Sequence, residues 1–142
     1  MIALVVARFY TELAERLESG ATAELLEAGY TADQIDTFDV PGAFELPMAA
    51  KFAAESGRYE AVVCLGAVIR GETTHYDYVC GEAARGIQDV QLTTGIPCGF
   101  GVLTVENGEQ ALLRSGGDKR DSGRHASAAV LALLEVRRRT SS

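Results

Sequence analysis

Four short apolar runs, each followed by a stretch of helical character, constrain this chain more than any other feature. They occupy residues 1–7, 35–40, 59–65 and 97–104. The first shows no polar alternation, so it reads as a strand buried on both faces. Between the runs the period lengthens. Leu13, Leu17, Leu25 and Leu26 share one stripe of a helix that runs from residue 11 to about Ala28, where Gly29 ends it, with Gly20 as a weak point in its middle. Pro47 fits only a first helical turn, so a second helix begins between Ala43 and Leu46 and stops near Gly57. A third helix follows Thr74 and ends at Thr94 and Gly95. A fourth covers 109–114, with Asn107 and Gln110 in capping-box spacing. Residues 116–123 read as a loop or kink, and a last helix runs from about Arg124 to Arg138.

Strands alternating with helices imply a parallel sheet covered on both faces, and right-handed crossovers leave few ways to connect it. The expected fold is α/β: a three-layer, doubly wound sandwich around a four-stranded parallel sheet of flavodoxin-like order 2-1-3-4. One domain is expected over 1–142. In such a sheet ligands bind beyond the carboxyl ends of the strands. The unusual elements of the sequence fall there: Arg8-Phe9-Tyr10 after the first strand, residues 41–45 after the second, Ala67 to His75 after the third, and 104–107 after the fourth.

Residues 66–77 carry the densest chemistry. A glycine-bearing turn between a strand and a helix aims backbone N–H groups outward, where they and the helix dipole receive anions. Thr74 with Asp77 three residues on resembles a capping box, which places His75 in the first helical turn. His75 fits either a proton carrier or a surface histidine at a helix start. Gly71-Glu72-Thr73 fits either a phosphate cradle, with the Glu72 side chain turned away, or an ordinary capped turn. Arg114 fits a guanidinium for phosphate or a cation matched to the dipole of its helix end. Phe9, Phe44 and Phe100 fit stacking on a flat heterocycle or the core. Glu45 fits an acceptor for ligand hydroxyls or a favourable charge at a helix start.

The totals exclude several classes. A net charge of −7 opposes a general nucleic-acid or acidic-membrane binder. The basic run Arg137-Arg138-Arg139 reads as a solvated, dipole-matched helix end. No apolar run reaches membrane-spanning length, and Met1 leads into the first strand without a signal-peptide pattern. The three cysteines, Cys64, Cys80 and Cys98, are odd in number, sit in apolar segments and lack metal-ligand spacing. Reduced thiols, a cytoplasmic location and no metal are therefore expected. The dinucleotide, Walker and serine-hydrolase motifs are missing from the sequence.

Four blocks carry a resemblance: Ala7-Arg8-Phe9, the run 40–47, the run from Gly66 to Cys80, and the run from Phe100 to Arg114. Together they resemble the lumazine synthase family over nearly the whole chain, from Ile2 to about Arg138. The resemblance implies condensation of 5-amino-6-(ribitylamino)uracil with 3,4-dihydroxy-2-butanone 4-phosphate to 6,7-dimethyl-8-ribityllumazine, without metal or organic cofactor. It implies that Phe9 stacks on the pyrimidine, and that Ala43, Phe44 and Glu45 meet the ribityl chain and ring edge. Ala67, Val68 and Ile69 would give backbone contacts. Glu72 through its backbone, Thr73 and Arg114 would take the phosphate, and His75 would move protons. Phe100 would come from a neighbouring subunit of a homo-oligomer, a pentamer or a multiple of pentamers. Three departures stand out. Tyr10 replaces the family's usual Asn, and Ser122 falls where a Lys is common, with Lys119 or Arg120 as substitute charges. The chain also starts at its first core strand, which favours a simple pentamer over a sixty-subunit shell. The alternative is a catalytically weak flavin or lumazine carrier, or a shell-forming protein, on the same scaffold.

Overall fold

The computed structural model describes residues 1–116 and 121–141. Lys119 and Arg120 lie outside the described residues. Four strands, β1 (Ile2–Ala7), β2 (Ile35–Val40), β3 (Ala61–Ile69) and β4 (Cys98–Val105), form one parallel sheet in the order β2-β1-β3-β4. Among the described residues five α-helices connect and cover it: α1 (Thr11–Glu27), α2 (Leu46–Glu55), α3 (His75–Thr94), α4 (Gly108–Arg114) and α5 (Ser122–Thr140). The expected class and strand order are those observed.

Each of the six residues of β1 is buried, as a central strand with helices on both faces requires. Ala3, Val5, Val62 and Cys64 face α2 and α3, where Leu46, Ala50, Ala83 and Ile87 complete one core. Leu4, Val6, Val63 and Leu65 face α1 and α5, where Leu17, Leu25, Ala126 and Val130 complete the other. The three cysteines are free, as expected. Burial pushes the Cys98 thiol up to about 11 and raises Cys64 further, so neither is a nucleophile at neutral pH.

Several expected boundaries shift for identifiable reasons. β3 continues through Ile69 instead of turning at Gly66. Gly66 is there for space: a Cβ on it would lie 2.9 Å from the Cβ of Ala7 on β1. Ser122 and Gly123, expected in a loop, begin α5, because the Asp121 side chain accepts the Arg124 N–H at 3.0 Å and caps the helix two residues early. Leu26 is not on the buried stripe of α1 and is 45% exposed.

Gly20 does not weaken α1 but seats it. A Cβ there would stand 2.3 Å from Asp121 Oδ1, so the α5 cap rests on the missing side chain. Gly20→Ala is expected to displace that carboxylate. It should lower unfolding stability by about 1–2 kcal/mol, the worth of a lost cap, although alanine is the better helix former. A denaturant midpoint equal to or above that of the unmodified protein would contradict the packing.

Candidate active site

A cavity of about 550 Å³ opens at the carboxyl edge of the sheet, between β1 and β3, where the strand order reverses. Phe9 and Tyr10 enter it from the end of β1, and Gly42 to Glu45 from the turn after β2. Ala67, Val68 and Ile69 come from the end of β3. Gly71, Thr73, His75, Tyr76, Tyr78 and Val79 close it from the loop and first turns of α3. Fold geometry alone assembles these four chain segments, which are scattered over seventy positions of sequence.

The extension of β3 matters here. Its pairing with β1 ends at Leu65, whereas its pairing with β4 continues to Ile69. The β1-facing backbone edge of residues 66–69 therefore meets no neighbouring strand. It turns peptide groups toward the cavity, where a flat polar ring can pair with them as a strand would.

Phe9 is 71% exposed and Phe44 59% exposed, so neither is a core residue. The Phe9 ring meets Tyr10 edge to face, with centroids 4.9 Å apart and planes at 73°. The Gly42 N–H donates to Glu45 Oε1 at 2.9 Å across the tight turn 43–45, which fixes the carboxylate at the cavity mouth. His75 is the first residue of α3 and is exposed. Its backbone N–H donates to Thr73 Oγ1 at 3.2 Å.

The capping box expected from Thr74 and Asp77 does not form; the Thr74 side chain makes no cap hydrogen bond. Asp77 instead faces Arg70, at 3.6 Å. Arg70 Nε also reaches Glu106 at 2.8 Å, and its guanidinium lies 4.4 Å from the centre of the Tyr76 ring. This clamp ties the ends of β3 and β4 to the first turn of α3 across the loop that carries Thr73 and His75. Sequence reasoning missed it because its members lie six to thirty-six positions from Arg70. It also missed Tyr78 and Val79 in the lining, although they lie three and four residues after His75 and so share its helix face.

Glu72, Phe100 and Arg114 do not line the cavity. Glu72 is exposed on the loop. Phe100 sits in the first half of the edge strand β4, 43% exposed, opposite Cys64 and far down the strand from its carboxyl end. Arg114 ends α4, where its Nη1 donates to the Gln110 carbonyl at 3.3 Å. Among the described residues the lining holds Glu45 and His75 but no lysine or arginine. Ser122, one of the departures, is half-buried at the start of α5. Among the described residues no cluster of histidine, cysteine and carboxylate could hold a metal ion, and no helix is long and apolar enough to cross a membrane.

The family model described as 6,7-dimethyl-8-ribityllumazine synthase matches residues 1–138 of the 142. The match spans the sheet, every cavity-lining segment, and the β4–α4 region that bears Phe100 and Arg114. With this coverage, and with the α/β sheet and the edge cavity in place, the chain belongs to the lumazine synthase family, the transferases of riboflavin biosynthesis.

Proposed function

We propose that the protein condenses 5-amino-6-(ribitylamino)uracil with 3,4-dihydroxy-2-butanone 4-phosphate, giving 6,7-dimethyl-8-ribityllumazine with loss of phosphate and water. One observation carries the reading: a single cavity holds an exposed aromatic ring, an open strand edge, a fixed carboxylate and an imidazole at a helix N-terminus. Phe9 stacks on the pyrimidine, whose polar edge pairs with the backbone of Ala67, Val68 and Ile69. Ala43, Phe44 and Glu45 receive the ribityl chain. The phosphate lies against the backbone of Glu72 and the hydroxyl of Thr73, where the dipole of the twenty-residue helix α3 favours negative charge.

The reaction forms an imine from the ring amine and the ketone, expels phosphate, and closes the second ring. The substrates provide the nucleophile and the electrophile. The protein orients them and moves protons, and His75 carries the latter role. No metal or organic cofactor is needed.

Among the described residues of one protomer the phosphate finds no guanidinium or ammonium in the lining. Arg114 and Phe100, both on the β4–α4 side, therefore act in the cavity of an adjoining subunit, as a cyclic homo-oligomer built on pentamers allows. The protein works in the cytoplasm as a single-domain subunit.

The test mixes the two substrates with the protein and follows lumazine absorbance and phosphate release. Tight flavin binding with no acceleration would replace the enzyme reading with that of a carrier. Arg114→Ala is expected to raise KM for the phosphate-bearing substrate by about 10–100-fold, the worth of a hydrogen bond to a charged group. Refolding Phe9→Ala with Arg114→Ala chains together should restore about one intact site in four, because each site draws on two subunits. Mixed oligomers no more active than the separate variants would mean that both residues serve the same subunit's cavity.

A further inference from the structure

We propose that Tyr10 is a positioning residue: its ring sets the orientation in which Phe9 receives the heterocycle. The inference rests on the proposed function and adds to it a residue that the reading above leaves without a role. Tyr10 occupies the N-cap of α1, with φ −105° and ψ 91°, and its side chain caps nothing. Asparagine, aspartate, serine and threonine are preferred at that position because their oxygens accept a first-turn N–H. The protein uses such caps elsewhere: Asn107 accepts the Gln110 N–H before α4, and Asp121 accepts the Arg124 N–H before α5. At residue 10 the cap is forgone and an aromatic ring stands in the cavity wall instead.

That ring has a partner. Phe9 is 71% exposed, so the core does not hold its side chain. Tyr10 is half-buried and packs its ring against Phe9 in the edge-to-face arrangement that aromatic quadrupoles favour. A platform fixed before the ligand arrives loses less side-chain freedom on binding. Tyr10 thus serves binding through Phe9 at the expense of helix stability, and the two properties should separate on substitution.

The experiment uses the full-length protein and four variants: Tyr10→Asn, Tyr10→Ala, Tyr10→Phe and Phe9→Ala. The readouts are melting temperature, fluorescence titration with 6,7-dimethyl-8-ribityllumazine, and KM for each substrate. Tyr10→Asn provides the missing cap, and its Tm is expected to rise by about 2–4 °C. It removes the ring, so lumazine binding and KM for the pyrimidine substrate should weaken by about 3–10-fold, the range of an edge-to-face pair. KM for the phosphate-bearing substrate should stay unchanged. Tyr10→Ala should weaken binding equally without the gain in Tm, and it decides the matter should the asparagine variant fail to fold. Tyr10→Phe keeps the ring edge and should bind as the unmodified protein does.

Weakened binding in Phe9→Ala with normal binding in Tyr10→Asn and Tyr10→Ala would overturn the positioning role. So would equal losses in Tyr10→Phe and Tyr10→Ala, which would assign the effect to the hydroxyl. Unchanged lumazine binding in Phe9→Ala would instead overturn the placement of the heterocycle itself, and the proposed function with it.

Discussion

Alanine at position 75 is expected to lower turnover by about 10²–10⁴-fold, the usual worth of one positioned acid–base group, and to leave activity above the uncatalysed rate. The residual follows from where the rest of the catalysis resides. Two substrates held together at the strand edge gain from orientation about 7–11 kcal/mol in favourable cases, and nothing in that arrangement requires the imidazole. His75 is exposed at the first position of α3, so its removal leaves no buried cavity and no orphaned buried partner. Circular dichroism and lumazine affinity should therefore match those of the unmodified protein, and the loss should fall on kcat. Complete loss of activity with fold and binding intact would contradict the orientation argument. An unchanged kcat would remove His75 from the proton path and leave Glu45 as the other ionisable carboxyl or imidazole group of the lining among the described residues.

The layers, the strand order and the edge that bears the cavity were legible because each depends on a repeated pattern. Apolar runs mark strands, helical stripes mark crossovers, and strand ends collect the loops. What was not legible depends on contacts between distant residues. Gly66 looks like a turn in sequence, but in three dimensions it is the gap that lets β1 and β3 lie close while β3 runs on. Thr74 and Asp77 have capping spacing, yet Arg70, itself paired with Glu106, draws the Asp77 carboxylate into a different network. Phe9 and Phe44 read in sequence more as core residues than as a stacking surface, and only their exposure decides otherwise. Phe100 and Arg114 lie outside the cavity lining of their own protomer, which no spacing in the sequence could show.

The largest loss of stability is expected from Gly123→Ala, about 3 kcal/mol or more, at the upper end of what overpacking a tight site costs. Gly123 lies where α5 crosses α1. A Cβ there would meet the Leu17 carbonyl oxygen at 2.1 Å and the Ala21 nitrogen at 3.1 Å. Both neighbours are backbone atoms of a helix and cannot rotate away, unlike the Asp121 side chain over Gly20. The crossing must open as a whole. Opening it strains the hydrogen bond from Ser127 Oγ to the Ala21 carbonyl at 2.9 Å and the ion pairs of Arg124 with Glu24 and Glu27 at 3.2 and 3.0 Å. The far side of α5 offers no relief: a Cβ on Gly99 of β4 would already meet the Ala126 carbonyl at 2.5 Å, so the helix is seated tightly between α1 and the sheet. Gly81→Ala is the matched comparison. It lies in α3 with nothing within 4 Å of the added carbon, so the same substitution should stabilise by about 0.5–1 kcal/mol through helix propensity. Urea unfolding of the two variants beside the unmodified protein should move the midpoint in opposite directions. A Gly123→Ala midpoint within error of the unmodified one would mean that α1 and α5 do not approach backbone to backbone. The seating of β4, and with it the placement of Phe100, would then need another explanation.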